Sequence, residues 1–194
     1  APPPEPAVSL RPVLLLLLVL LLPGARAADA SRSFTHATIP ELQAAMEAGT
    51  LEPERLVTLG LARIEAFDRA GPELGAVLTV NPRARERARA LDAERRRSGP
   101  RSPLHGIPVL LKDNLDTADL PTTAGSFLLA ESLPPDDATL VRRLREAGAI
   151  VLAKVNLSEF ASGGPMSSLG GPTRNPHDPA RTPSGSSGGT GAAV

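Results

Sequence analysis

The 194 residues contain no cysteine, tryptophan or tyrosine, and four phenylalanines supply the whole aromatic content. Without cysteine there is no disulfide and no thiolate chemistry, a composition compatible with an exported protein. So few aromatics leave no aromatic patch to nominate as a protein interface, and the oligomeric state stays open. An excess of either charge is also missing, with 21 basic residues against 21 acidic ones. That balance argues against nucleic acid as a partner. Only three histidines occur, His36, His105 and His177, in unrelated segments. Their spacing fits no metal site, so no metal or other cofactor is expected, and each reads as a surface or loop residue.

The scarcity of lysine is more informative. Of the 21 basic residues only Lys112 and Lys154 are lysines, and the other 19 are arginines. Where surface cations are written as arginine, a retained lysine points to a task that arginine cannot do. A guanidinium stays charged, whereas a buried amine can give up its proton and act as a base.

Long apolar runs are limited to one block, Val13 to Leu22, preceded by Arg11 and followed by Pro23-Gly-Ala-Arg-Ala27. Its ten residues fall short of the ~20 that a spanning helix needs. The pattern predicts a secretory signal peptide over residues 1–27, cut after Ala27, hence an exported protein with a mature chain of 28–194 and no stable membrane span. The same block would also suit a short anchor that is never cut. Without residues 1–27 the chain keeps 19 basic and 20 acidic residues, a net charge of −1.

Downstream, Thr38-Ile-Pro-Glu41 predicts a capping box opening a helix that buries Leu42, Ala45 and Met46 and ends at Gly49. A second helix is expected from about Pro53 to Asp68, with Leu56, Leu59, Ile64 and Phe67 on one side. A third starts at Asn81-Pro82 and runs to about Arg97, its alternating Arg and Glu on a solvated face. After a turn-rich break at Ser98 to Pro103, Ile107–Leu111 predicts a buried strand and Ala149–Ala153 a second one. Between them Asp137–Ala147 predicts a helix with Leu140, Val141 and Leu144 inward and Gly148 at its C-cap. Strand, helix and strand in this order give a right-handed parallel crossover, so the fold class is α/β with both sheet faces covered. From Ser162 to Gly191 glycine, proline and serine dominate and predict a long functional loop.

Two segments carry candidate chemistry. Lys112 directly follows the first apolar run, and period-two alternation places it on the face of Leu110 while Asp113 points the other way. Gly185-Ser-Ser-Gly-Gly189 pairs two hydroxyls between glycines, which allow close backbone approach, and each hydroxyl donates and accepts at once. A phosphate cradle would need Gly-Lys-Ser/Thr or Gly-x-Gly-x-x-Gly, and neither is present. A flexible linker fits the composition but not the ordered turn signals of Gly171-Pro-Thr-Arg-Asn-Pro176.

Taken in order, five blocks resemble the amidase signature family over about Thr35 to Val194. They are His105-Gly-Ile-Pro-Val-Leu-Leu-Lys-Asp-Asn114, Thr122-Thr-Ala-Gly-Ser126, Ala147-Gly-Ala-Ile-Val-Leu-Ala-Lys-Val-Asn-Leu-Ser-Glu-Phe160, Gly171-Pro-Thr-Arg-Asn-Pro176 and Gly185-Ser-Ser-Gly-Gly189. The resemblance implies a mixed β-sheet flanked by helices and an N-terminal helical segment. It also implies an amide hydrolase with a Ser-Ser-Lys triad, acting on a small-molecule amide. Lys112 matches the family's base, Ser186 its bridging serine after a cis peptide bond, and Ser187 a residue that orients the triad. Ala161, Ser162 and Gly163 align loosely with one wall of the acyl-binding pocket. Lys154 is a competing candidate for the base. The family's nucleophilic serine belongs to a Gly-Gly-Ser stretch beyond Gly189, so the nucleophile is expected outside these 194 residues, with 28–194 the N-terminal part of the domain. Ser184 departs from the family pattern, which has glycine there. The same signature occurs in the A-type subunit of the amidotransferase that supplies ammonia to misacylated tRNA. A noncatalytic binding domain of the same fold is a third reading.

Overall fold

The computed structural model describes Phe34 and residues 36–194. The leader and its cut after Ala27 lie outside the described residues. His36–Val194 forms one compact unit. Among the described residues no helix is long and apolar enough to cross a membrane.

Helix α1 spans Ile39–Glu47, and Thr38 and Glu41 close the expected capping box, with the Thr38 N–H donating to Glu41 Oε2 at 2.7 Å. Leu42 and Met46 are buried, as their helical spacing requires. Helix α2 runs from Pro53 to Arg63 and continues as a π-helical turn over Ile64–Arg69. Pro53, Leu56 and Val57 are its buried residues, whereas Phe67 is 47% exposed. The wider π-turn changes the angle per residue, so the α-helical spacing that aligned Phe67 with Leu56 no longer applies. Helix α3 spans Ala84–Ser98. Asn81 stands outside it, its side-chain oxygen accepting from the Arg83 N–H at 2.9 Å while its amide donates to Val151 O at 2.7 Å. The helix therefore begins two residues after Pro82, since Asn81 is committed to the sheet.

The sheet has three strands in the order β1 (Val77–Val80), β3 (Ile150–Val155) and β2 (Pro108–Lys112). β2 pairs parallel and β1 antiparallel to β3, which makes the sheet mixed. The parallel pair flanks helix α4 (Thr139–Glu146), the crossover expected from the apolar pattern. Leu140 is 52% exposed and departs from the inward set, while Val141 is fully buried. β1 has no counterpart among the predicted elements. It is four half-buried residues whose pairing partner lies more than seventy positions away, so its local signal is faint.

All six residues of β3 are buried. On one face Ile150 and Leu152 pack with Val57, Ala84, Ala88 and Leu91 of α2 and α3. On the other, Val151 packs with Leu111, Leu120 and Val141. The ladder between β2 and β3 carries a bulge, for Val109 pairs with Val151 but Leu110 pairs with Ala153. Strict alternation would put Lys154 on the face of Ile150 and Leu152. The extra residue reverses the parity, and Lys154 comes opposite Leu111 on the α4 face.

His105 lies in the turn before β2, as a loop residue was expected to, but it is completely buried rather than on the surface. Its Nδ1 accepts from the Arg101 N–H at 3.2 Å and its Nε2–H donates to Leu91 O at 2.9 Å. It fastens the turn before β2 to the middle of α3. The glycine-rich stretch expected as loop to Gly191 contains a two-stranded ribbon, β4 (Met166–Ser167) and β5 (Gly171–Pro172), and ends in a helix, α5 (Gly188–Ala193).

Candidate active site

Lys112 is the last residue of β2, half-buried, and its Nζ donates to Ser186 Oγ at 2.7 Å across 74 positions of sequence. The peptide between Gly185 and Ser186 is cis. Two contacts hold this turn. The Ser158 N–H donates to Ser186 O at 2.9 Å, and the Gly189 N–H donates to Asn156 O at 3.0 Å. The turn is closely packed at Gly185, where a Cβ would stand 2.6 Å from Ser158 Oγ and 3.2 Å from Gly163 O. Ser184 adopts φ of +66°, the left-handed region that favours glycine, which accounts for the family's usual residue at this position.

The other expected site residues differ in how closely they join the pair. Ser187 is exposed, and among the described residues its hydroxyl has no hydrogen-bond partner. Ala161, Ser162 and Gly163 are exposed on the turn that follows Ser158. Ser158 Oγ donates to Gly163 O at 3.0 Å, so this turn adjoins the Gly185–Ser186 peptide. A cavity of about 970 Å³ between α1 and the end of α3 is lined by neither Lys112 nor Ser186.

Several residues of the site carried no signal in the sequence reading. Asn156 is completely buried and joins four segments. Its Oδ1 accepts from Ser167 Oγ at 2.7 Å, and its Nδ2 donates to Gly75 O at 3.0 Å and to Gly171 O at 3.2 Å. Its carbonyl receives the Gly189 N–H described above. An asparagine directly after a strand that is apolar except for Lys154, at Val155-Asn156, is the clue that would have singled it out.

Lys154 is fully buried and forms an ion pair with Asp113, Nζ to Oδ1 at 2.8 Å, a charge contact rather than an aligned hydrogen bond at that oxygen. It also donates to Thr122 Oγ1 at 2.8 Å and to Pro121 O at 3.0 Å. Lys154 and Lys112 thus leave the sheet on opposite faces, and only Lys112 reaches Ser186. Burial pushes the Lys154 ammonium below the ordinary lysine value of 10.5, against the pull of Asp113. Between that lowered value and 10.5 the unfolded chain holds a proton that the folded chain has shed, so stability should rise with pH across this window. Urea midpoints measured from neutral pH to 10.5 should rise more steeply for the wild type than for Lys154→Met. No cysteine or tyrosine in the 194 residues titrates there to obscure the difference.

Here a helix-flanked mixed sheet carries a lysine at the end of one strand in hydrogen-bond contact with a serine from a glycine-flanked turn. The chain belongs to the amidase family, which matches residues 55–194. In sequence it is 47% identical over 156 residues to the A-type subunit of glutamyl-tRNA(Gln) amidotransferase from Anaeromyxobacter sp. (strain K), covering 79% of this chain and 31% of that protein. The corresponding protein of Thermus thermophilus is 44% identical over 155 residues, again covering 31% of the relative. In structure it is similar to the native peptide amidase from Stenotrophomonas maltophilia, with a TM-score of 0.80, 48% identity and coverage of 83% of this chain and 34% of that one. An amidase family protein from Bacillus anthracis str. Ames matches with a TM-score of 0.80 and 38% identity, covering 88% of this chain and 35% of that one. The chain therefore spans about a third of the length of these relatives.

Proposed function

We propose that the protein hydrolyses carboxylic acid amides through a serine, Ser186 and Lys112 acting in series. The observation that carries this reading is the 2.7 Å contact between Lys112 Nζ and Ser186 Oγ. Lys112, as the neutral amine, takes the Ser186 hydroxyl proton, and Ser186 takes the proton of the attacking serine. That serine adds to the amide carbonyl and forms an acyl-enzyme. The relay then returns the proton to the nitrogen of the leaving amine as the C–N bond breaks. Water enters by the same route, its proton passes to the relay, and the carboxylic acid leaves with the serine restored. Ser187 is assigned the orientation of this relay, and Ala161, Ser162 and Gly163 one wall for the acyl group. The nucleophile is assigned to sequence beyond Val194, in keeping with the share of the relatives' length that the chain spans.

The test is direct. The full-length protein should hydrolyse members of a panel of short and long acyl amides, and the 194-residue chain alone should show no turnover. Hydrolysis by the 194-residue chain would mean that the nucleophile lies within it.

The apolar block at Val13–Leu22 favours an exported hydrolase, for which a mature N-terminus at Ala28 is the expected mass-spectrometric result. A second reading, as one component of an amidotransferase, is supported by the 47% identity to the A-type subunit from Anaeromyxobacter. It requires stable co-purification with other subunits and retention in the cytoplasm.

A further inference from the structure

The buried pair of Lys154 and Asp113 takes no part in the proton relay, yet it stands next to the residue on which the relay depends. A buried ion pair is weak evidence for stability, since apolar residues of the same volume commonly serve as well. Its geometry suggests a more specific task. Among the described residues β2 pairs only with β3, and Lys112 is its last residue. Beyond Lys112 the ladder ends, and Asp113 takes over the anchoring.

Asp113 is held by hydrogen bonds at its N–H, its carbonyl and Oδ2, and by charge alone at Oδ1. Its N–H donates to Val155 O at 3.1 Å, and its carbonyl accepts from the Ala124 N–H at 2.9 Å. Its Oδ2 accepts from the Thr123 N–H at 3.1 Å and from Thr123 Oγ1, and its Oδ1 faces Lys154. Lys154 in turn binds Thr122, Pro121 and, at 3.3 Å, Thr117 Oγ1, so the loop from 113 to 124 closes around the pair. Because Lys154 lies on the face away from Ser186, it can act on the relay only through Lys112.

We propose that the Lys154–Asp113 pair is a positioning device that fixes the end of β2 so that the Lys112 amine stays within hydrogen-bond reach of Ser186. The proposal rests on the reading of Lys112 as the base. A shift of about 1 Å in a catalytic group costs on the order of 100-fold in rate, which sets the expected effect.

The experiment is a set of double-variant cycles in the full-length enzyme, assayed at a temperature at which circular dichroism shows each variant folded. Lys154→Met and Asp113→Asn should each lower kcat by about 100-fold with KM within about threefold. Added to Lys112→Ala, neither should cost more than about a further twofold, because a group acting through Lys112 has nothing left to position. Should Lys154→Met give no folded protein, Thr123→Val, which strips a hydroxyl from Asp113 and leaves the ion pair, should lower kcat about tenfold with the same absence of further loss on Lys112→Ala. A wild-type kcat in the folded single variants, or losses that multiply in the doubles, would overturn the positioning role while an inactive Lys112→Ala still upheld Lys112 as the base. Wild-type turnover in Lys112→Ala would overturn both.

Discussion

Lys112→Ala in the full-length protein should lower kcat for amide hydrolysis by about 10⁴-fold, close to 5.5 kcal/mol of transition-state stabilisation. The amine is the group that the structure places against Ser186, at 2.7 Å, and without it the relay has no terminal base. Lys112→Arg should be equally damaging, because a guanidinium keeps the positive charge but does not release a proton. This second variant separates proton transfer from simple electrostatic attraction. Lys112 is half-buried at a strand end, so both variants should fold, as circular dichroism would verify. Steady-state kinetics that left Lys112→Arg within tenfold of the wild type would remove lysine from the role of base.

Gly189→Ala should be the most destabilising single methyl addition at this site, costing more than about 4 kcal/mol or preventing folding. A Cβ at 189 would lie within 2.6 Å of three backbone atoms, Asn156 O, Asn156 N and Ala76 O. None of these can turn aside as a flexible side chain could, since they belong to the joint where the ends of β1 and β3 receive α5. Gly191→Ala provides the contrast within the same helix. Its nearest neighbour would be Pro183 O at 3.8 Å, an ordinary contact, and alanine is the better helix former by about 1 kcal/mol. Urea unfolding of the full-length protein should therefore show Gly191→Ala at or above the wild-type midpoint and Gly189→Ala far below it. Equal midpoints would mean that α5 does not dock on Asn156 as described. Because Ser186 lies three residues before Gly189, any Gly189→Ala protein that folds should also lose turnover.

How much of this was legible beforehand follows from how local each signal is. The capping box at Thr38 and Glu41 and the crossover from β2 through α4 to β3 were readable, because caps and apolar periodicity involve neighbours in the chain. β1 was not, since a four-residue strand owes its existence to a partner far along the sequence. The helical turn at Gly188–Ala193 contradicted its composition, because glycines that disfavour an isolated helix are what permit its close approach to β3. His105 was placed in a loop, where it is, but its burial was not legible, because nothing near it in sequence announces the Leu91 carbonyl that meets its ring.

By itself the sequence determined the family, through five ordered blocks, the α/β class, and the two segments that supply Lys112 and Ser186. Only the tertiary structure decided which lysine meets the serine. One extra residue in the β3 ladder sends Lys154 to the opposite face from Lys112. Alternation along a strand is a local rule, whereas a bulge is set by pairing with a distant strand, and the faces of the two lysines follow from that pairing.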